Sequence, residues 1–474
     1  MTRQGGRSLP TGDRHLAGGV TVTHRIQFRV VALAMLMVSP AAHNATARAS
    51  QPTTQQATPK PNVVLIMMDD MGYGDLASYG ATDVRTPNTD RLAREGVRLT
   101  DAYANGQVCS PTRAALISGR YPQRFGIERA LTNALADSAI GLPVMGTSLP
   151  ALLKHNGYAT GLVGKWHLGF RRDFSPLAHG FDEFFGFLAG AHDYYLGDVF
   201  HDTTRVPLNR YLTDEITDRA LSFIERHGDR PFFLEVAYNA VHWPFQPPDT
   251  PPTDEERRAG RQLPPMPGDT LPVMRPTYVR MLERADDGVG KILAALEKRG
   301  LTRNTLIIFT NDNGGERLSR NAPLSNRKGS LWEGGIRVPL ILRWPAVLPA
   351  GKTSGQVALT MDLTASILAA TGTKPPSTYR PDGMDILPVL RGEASVVDRQ
   401  VFWRVRRPVR PMAAIRSGRW KLLIEGDSAH LFDLEADPGE RTDRALDDPD
   451  RVAALRRLLT EWGNDVDRKA AGGS

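Results

Sequence analysis

The chain has 474 residues, of which 41% are hydrophobic, so it can bury a large core and is not a globally disordered protein. Its length indicates one large domain and a smaller one. The net charge of +7 does not indicate nucleic-acid binding, because residues 1–49 contain six arginines and one aspartate, which leaves about +2 for the rest.

The first segment, residues 1–49, is predicted to be a secretory signal peptide. Arg25 and Arg29 flank the start of an apolar run over 30–38, and two Ala-x-Ala cleavage patterns follow it. The run is too short to cross a bilayer comfortably, which makes a membrane anchor the less favoured interpretation. We therefore expect a periplasmic or secreted protein that does not span a membrane after leader cleavage. Residues 50–60 are polar and are expected to form a linker.

Four short apolar segments predict buried strands: Asn62–Met68, Ala159–Gly164, Pro231–Tyr238 and Thr305–Thr310. Nearly continuous apolar runs are typical of strands buried on both faces of a parallel sheet. Helical patterns lie between them. One of these, starting at Tyr278 and ending at Gly300, aligns five apolar residues on one face: Leu282, Ala285, Val289, Ile292 and Leu296. The alternation predicts an α/β fold with a large, mostly parallel sheet between helices.

The last part of the chain has a different pattern, which predicts a small antiparallel sheet with a packed helix. The predicted strands and the helix are Val401–Val405, Met412–Ser417, Arg419–Glu425 and Asp450–Trp462. We therefore expect a catalytic domain over 61–385 and a C-terminal subdomain over 386–474. The proline-rich segment Pro244–Pro276 is predicted to be a long surface loop, either close to the functional site or simply a tolerated insertion.

Each predicted strand of the large sheet is followed by polar residues, namely Asp69 and Asp70, Lys165 and His167, Asn239 and His242, and Asp312 and Asn313. Ligands of open α/β sheets bind beyond the carboxyl ends of the strands, so these groups are expected to meet at one edge. The acidic pair after the first strand could by itself be a turn or a helix cap. Together, the four Asp and Asn side chains offer only oxygen donors, which suit a hard cation such as Ca²⁺ or Mg²⁺.

A complementary set of cationic and imidazole side chains accompanies these donors: Arg113, Lys165, His167, His242 and Lys328. Cations beside a metal favour an anionic, tetrahedral substrate such as a sulfate or phosphate. The imidazoles could also transfer protons. A single histidine is more often a hydrogen-bonded structural residue, so the prediction depends on the whole set.

Cys109 is the only cysteine of the chain, so it has no partner for an internal disulfide. Pro111 is predicted to occupy the first position of an amphipathic helix, which would put Cys109 and Ser110 at the N-terminus of that helix. There the free N–H groups would favour an anion and lower the pKa of a thiol. Arg113 lies one turn further along and would face the same place.

Cys109-Ser110-Pro111-Thr112-Arg113, followed by "AALISGR", resembles the signature of the type I sulfatases, in the alkaline-phosphatase-like superfamily. The blocks "NVVLIMMDDMGYGD", "GKWHLG", "GFDEFFGF", "HWPF", "NDNGG" and "KGSLWEGGIRVP" extend the resemblance from Asn62 to about Arg444. The pattern "GAHDYY" is most similar to the arylsulfatase and N-acetylgalactosamine-sulfatase branch.

The resemblance implies that a formylglycine-generating enzyme oxidises Cys109 to formylglycine (3-oxoalanine) during export. One hydroxyl of the hydrated aldehyde would attack the sulfur of a sulfate ester, and the other would then expel sulfate. The resemblance also implies Ca²⁺, with Mg²⁺ as the alternative, bound by Asp69, Asp70, Asp312, Asn313 and the modified Cys109.

Further roles follow from the same resemblance. Arg113 and Lys165 would hold the diol, and His167 would assist elimination of sulfate. His242 and Lys328 would bind the sulfate and protonate the leaving oxygen. His192 and Asp193 match a loop on the substrate side, although Ala191 replaces the hydroxyl residue that some relatives carry.

The expected substrates are aryl sulfates or other small sulfate esters, or sulfated glycans. One alternative is a phosphodiester or phosphonate monoester hydrolase on the same fold. The neutral ligand Asn313 favours a single metal and a singly charged sulfate ester over a phosphate dianion. Another alternative is an inactive homologue that binds glycans, which the intact set of site residues disfavours.

Overall fold

The computed structural model describes residues 59–132, 139–259 and 271–468, together with Gln27. Apart from Gln27, the predicted signal peptide therefore lies outside the described residues, as does most of the predicted linker. The described strands are β1 (Asn62–Met68), β2 (Val97–Leu99), β3 (Ala102–Tyr103), β4 (Ala159–Lys165), β5 (Glu183–Phe187), β6 (Asp198–His201), β7 (Thr204–Pro207), β8 (Phe232–Ala237), β9 (Thr305–Asn311), β10 (Leu340–Arg343), β11 (Lys352–Ser354), β12 (Ala358–Leu359), β13 (Gln400–Val405), β14 (Met412–Ser417), β15 (Trp420–Glu425) and β16 (Ser428–Asp433).

The described α-helices are α1 (Pro87–Glu95), α2 (Cys109–Ser118), α3 (Leu149–His155), α4 (Leu212–His227), α5 (Asp254–Ala259), α6 (Leu271–Lys298), α7 (Glu333–Ile336), α8 (Thr360–Ala370), α9 (Leu387–Arg391) and α10 (Pro449–Asp467). Short 3₁₀ turns lie at Tyr73–Asp75, Ala77–Tyr79, Pro122–Phe125, Arg172–Phe174, Pro176–His179 and Thr302–Asn304. Among the described residues, no helix combines the length and the apolar character that a membrane span needs.

A mixed, mostly parallel sheet of ten strands forms the centre of the fold, in the order β11-β2-β10-β9-β1-β8-β4-β5-β6-β7. The four strands predicted from apolar runs are consecutive in it, as β9, β1, β8 and β4, and they pair in parallel. Every residue of these four strands is buried, which explains their continuous apolar sequence. The α/β fold class is confirmed, and the parallel pairing brings the four carboxyl ends to one edge.

Helix α2 lies against this sheet and differs in two ways from the prediction. It begins at Cys109, so Pro111 is its third residue and not its first, a position where the missing N–H still costs no intrahelical hydrogen bond. All ten of its residues are buried, so it is not amphipathic. It ends at Ser118, and the next residue, Gly119, caps it with a left-handed backbone (φ +65°) and an N–H that donates to the carbonyl of Ala115.

Two helices occupy part of the segment predicted as a loop over Pro244–Pro276. Helix α5 lies within it, and α6 begins at Leu271, seven residues before the predicted start. Pro276 lies near the N-terminus of α6, where a proline removes only one intrahelical hydrogen bond. The five apolar residues aligned further along α6 are buried, which confirms that face of the prediction.

The C-terminal sheet is antiparallel, in the order β13-β14-β15-β16, and it confirms the predicted small subdomain sheet. The boundary between 385 and 386 remains a prediction. A buried ion pair network joins this sheet to α7: Lys421 Nζ lies 2.8 Å from Glu333 Oε1 and 2.7 Å from Glu440 Oε1. Glu333 lies five residues after Lys328, so the network fixes the segment that carries this lysine.

Candidate active site

An Asp-Asp pair and an Asp-Asn pair lie side by side at the carboxyl edge of the sheet because they follow adjacent strands. Asp69 and Asp70 follow β1, and Asp312 and Asn313 follow β9. The Asp312 N–H donates to the carbonyl of Met68 (3.3 Å), which extends the parallel ladder by one residue and fixes the relative height of the pairs. All four side chains are 2% exposed or less.

The backbone of Asp70 is in the left-handed region, at φ +63°, which turns its side chain toward the second pair. Asp70 Oδ1 accepts a hydrogen bond from Asn313 Nδ2 (2.8 Å), and Oδ2 accepts one from Lys328 Nζ (2.6 Å). Burial works against ionisation, but the positive charge of Lys328, supported by that of Lys165, holds the pKa of Asp70 well below its usual range.

These residues fit a hard metal ion. Asp69, Asp70 and Asp312 offer carboxylate oxygens, and Asn313 Oδ1 is buried without a hydrogen-bond partner among the described residues. An unpaired buried amide oxygen is costly, and a cation would satisfy it. Ligand atoms of Asp69, Asp70, Cys109 and His242 also lie within 4.8 Å of one another. The donor set is dominated by oxygen, as Ca²⁺ prefers.

Each of the three carboxylates also contacts one cationic side chain. Lys165 Nζ lies 2.7 Å from Asp69 Oδ2, and Lys328 Nζ lies 2.6 Å from Asp70 Oδ2. Arg113 donates to Asp312 Oδ2 through Nε (3.0 Å) and Nη2 (2.8 Å). The predicted oxygen donors and the predicted cations therefore form one buried cluster in which charges of opposite sign alternate.

Cys109 is the first residue of α2, and its Sγ lies 3.5 Å from Asp69 Oδ1. The expected lowering of its pKa by the helix N-terminus is wrong for the thiol in this setting. Burial, with the negative charge of Asp312, raises the pKa of Cys109 well above its usual value. Because the thiolate is the reactive form, the unmodified side chain is a poor nucleophile here.

His167 follows β4 and has a left-handed backbone (φ +60°). Its Nε2 is 2.8 Å from the carbonyl of Leu131, which can only accept, so Nε2 carries the proton in the neutral ring. Nδ1 then has a free lone pair, and it is buried without a partner among the described residues. Burial, reinforced by the charge of Lys165, lowers the pKa of His167 well below its usual value, so the ring is neutral.

His242 lies next to Asp70, with Nε2 3.5 Å from Asp70 Oδ2. Its Nδ1 is hydrogen-bonded to the carbonyl of Trp243, so Nδ1 carries the proton of the neutral ring. Burial, together with the charge of Lys328, lowers the pKa of His242 to about 3. Its Nε2 lone pair therefore faces the cluster.

His192 and Asp193 have a different environment from the other predicted site residues. The Asp193 carboxylate accepts hydrogen bonds from the backbone N–H groups of Tyr195 and Leu196 and from Gln246 Nε2. The ring nitrogens of His192 are bonded to backbone carbonyls of its own loop. Neither side chain has a hydrogen bond or ion pair with the acidic cluster, and their contact with substrate remains a prediction.

Sequence reasoning missed Ser110 as a part of this site. Its Oγ accepts a hydrogen bond from the N–H of Leu131 (3.0 Å), the residue whose carbonyl fixes His167. Ser110 and Leu131 are 21 residues apart, so their pairing is visible only in the fold. The only sequence signal for this role was the position of Ser110 directly after Cys109.

Comparison with known proteins agrees with the family resemblance found in the sequence. The family profile described as "Sulfatase" matches residues 61–373, and the profile "N-sulphoglucosamine sulphohydrolase, C-terminal" matches residues 327–464. The N-acetylgalactosamine-6-sulfatase of Mus musculus is 39% identical over 377 residues, which cover 72% of this chain and 68% of that protein. The steryl-sulfatase of Mus musculus is 33% identical over 518 residues, covering 83% of this chain and 80% of that protein.

Solved structures show the same similarity in three dimensions. The crystal structure of Ps i-CgsB in complex with k-i-k-neocarrahexaose superposes with a TM-score of 0.78 at 33% sequence identity. The match covers 87% of this chain and 94% of that chain, so it includes both the large sheet and the C-terminal sheet.

Proposed function

The chain belongs to the sulfatase family and is a sulfuric ester hydrolase, and we propose that it removes sulfate from sulfated glycans through a formylglycine made from Cys109 with the help of Ca²⁺. The observation that carries this proposal is the buried cluster around Cys109. Its Sγ is 3.5 Å from one of three carboxylates, each of which is paired with a cation.

The metal would be held by Asp69, Asp70, Asp312 and Asn313, with residue 109 beside it. Bound there, Ca²⁺ would polarise the sulfate group and stabilise an attacking oxygen. The unpartnered Asn313 Oδ1 supports this assignment, because it is the one amide oxygen of the set and nothing in the described protein satisfies it.

Formylglycine would supply, in its hydrated form, a hydroxyl nucleophile and a second hydroxyl that permits release of sulfate without an external water. His167 is well placed for this chemistry. Its Nδ1 lone pair can accept a hydrogen bond from a hydroxyl, while Leu131 holds the ring in that tautomer. Arg113 and Lys165, fixed by Asp312 and Asp69, would orient the same hydroxyls.

Lys328 and His242 are assigned to the sulfate group. Both lie next to Oδ2 of Asp70, so they line the same side of the cluster. Their side chains are 13% and 12% exposed, whereas those of Lys165 and Asp69 are completely buried. A substrate would therefore meet Lys328 and His242 first. Lys328 can bind sulfate oxygens and protonate the leaving oxygen, and His242 would do the same once its Nε2 has taken up a proton.

Sulfated glycans are proposed as the substrate class because of two relatives. One is an N-acetylgalactosamine-6-sulfatase, and the other was crystallised with k-i-k-neocarrahexaose. We further propose that the protein is exported to the periplasm or secreted, and that a formylglycine-generating enzyme acts on Cys109 on the way. The apolar run over 30–38 and the single cysteine support this route.

The function is tested by comparing an aryl sulfate with the matched aryl phosphodiester, using protein produced together with a formylglycine-generating enzyme. We expect kcat/KM to be higher for the sulfate and sulfate hydrolysis to be lost in Cys109→Ala. The exposed residue His155 on α3 provides the control His155→Ala, which should keep wild-type activity. A preference for the phosphodiester, or retained sulfatase activity in Cys109→Ala, would contradict the proposal.

A further inference from the structure

A cleft of about 400 Å³ lies between the loop that carries Lys328 and the turn that joins β13 to β14. Its walls combine backbone, an indole ring and charged side chains from these two parts of the chain and from the end of β15. They include Gly329, Ser330, Trp332, Arg407, Arg410 and Glu425. None of these residues belongs to the catalytic cluster described above.

The cleft adjoins the catalytic cluster through the backbone. Gly329 follows Lys328 directly, and its N–H donates to the carbonyl of Gln107 (2.8 Å), two residues before Cys109. Arg407 Nη2 donates to the carbonyl of Gly329 (3.2 Å). Gly329 therefore connects Arg407, the neighbouring Lys328 and the segment that leads to Cys109.

The two arginines of the cleft have no ion-pair partner in the described part of the chain, so the cleft, which contains one acid, keeps a net positive charge. Arg407 and Arg410 are exposed, and neither forms an ion pair with a carboxylate in the described part of the chain. Arg404 and Arg406, from the same hairpin, do form such pairs, with Glu128 and Asp467. The acid in the cleft is Glu425, whose Oε2 accepts a hydrogen bond from Trp332 Nε1 (3.4 Å).

The cleft offers two kinds of contact that suit an acidic sugar. A guanidinium group can bind a sulfate or carboxylate through two parallel hydrogen bonds. The partly exposed indole of Trp332 presents an apolar surface with one polar atom, on which a sugar ring can pack. A simple aryl sulfate has no second anionic group to use these contacts.

We infer that this cleft is a second anion subsite, which binds a sulfate or carboxylate on a sugar next to the one whose sulfate is hydrolysed. The inference rests on the proposed function, since it assumes that Lys328 marks the hydrolysed sulfate. It identifies the substrate as an oligosaccharide with at least two anionic groups. Arg407 and Arg410 would then determine specificity without taking part in the bond cleavage.

The test compares wild type with the double variant Arg407→Ala/Arg410→Ala on three substrates: an oligosaccharide with sulfates on adjacent sugars, the same oligosaccharide with one sulfate, and 4-nitrophenyl sulfate. We expect KM for the disulfated substrate to rise about tenfold or more, with kcat little changed, because charge-assisted hydrogen bonds are lost. The control Arg456→Ala/Arg457→Ala removes the same charge from the exposed face of α10 and should leave all three KM values unchanged.

A direct binding measurement separates this inference from the proposed function. Calorimetry with the Cys109→Ala protein should show tighter binding of the disulfated than of the monosulfated oligosaccharide, and the added double substitution should abolish the difference. That result would support the subsite even if wild type hydrolysed no sulfate ester. Equal affinities for the two oligosaccharides, or equal losses of affinity for both in the double variant, would overturn it.

Discussion

Glu235 is a buried acid in the middle of β8, and its Oε2 has no hydrogen-bond partner among the described residues. Burial raises the pKa of Glu235 to about 7, although the charge of Arg113 acts in the opposite direction. The folded protein therefore keeps a proton that the unfolded chain loses above its ordinary pKa of 4.5. Folding stability should decline as the pH rises from 4.5 to about 7 and then level off.

Replacing Glu235 by its neutral isostere should remove this decline of folding stability with pH. We expect Glu235→Gln to be about as stable as wild type near the low end of that window and more stable at pH values above it. The difference is on the order of 3 kcal/mol at most, from the size of the pKa shift. Denaturant unfolding of both proteins on either side of the window measures it, and parallel pH dependences for the two proteins would contradict it.

Helix α2 and the segment ending at Leu131 are coupled by one side chain. Ser110 Oγ accepts from the Leu131 N–H, and the Leu131 carbonyl accepts from His167 Nε2. Ser110 therefore acts as a positioning residue for His167, on an element that also carries residue 109. The arrangement links the orientation of the imidazole to the start of α2.

Removing the acceptor in Ser110→Ala should lower kcat about tenfold with little change in KM, because the ring of His167 is less well held. Ser110 lies within the segment around Cys109, so turnover must be divided by the modified fraction, measured by mass spectrometry. Ser110→Thr keeps the hydroxyl and should restore most of the activity. Unchanged turnover per modified site in Ser110→Ala, or a threonine variant as slow as the alanine one, would argue against this coupling.

At the scale of the whole molecule, the sequence was sufficient to predict the central strands and the edge at which the site forms. Apolar runs that end in Asp69-Asp70 and Asp312-Asn313 are local features, and parallel pairing of β1 and β9 makes them neighbours. The small C-terminal sheet was also predicted, and its first strand, β13, alternates buried residues with partly or fully exposed ones.

Features that depend on contacts distant in sequence were not predictable. No local sequence pattern predicts that Ser110 contacts Leu131 or that Lys421 contacts Glu333. The pKa of Cys109 was expected to fall because of the helix N-terminus, yet burial next to carboxylates dominates, and burial is a property of the whole fold. The early start of α6 was missed because its first residues lie in the proline-rich segment Pro244–Pro276, which was predicted to be a loop.

The central claim, that residue 109 is the catalytic nucleophile only after oxidation, is tested most directly on the tryptic peptide from Leu99 to Arg113. Protein is produced with and without a formylglycine-generating enzyme, and the aldehyde fraction of this peptide is measured by mass spectrometry together with the rate of aryl sulfate hydrolysis. We predict that activity increases in proportion to the aldehyde fraction and extrapolates to zero for the thiol. Full activity in protein that contains only the thiol form would contradict the account.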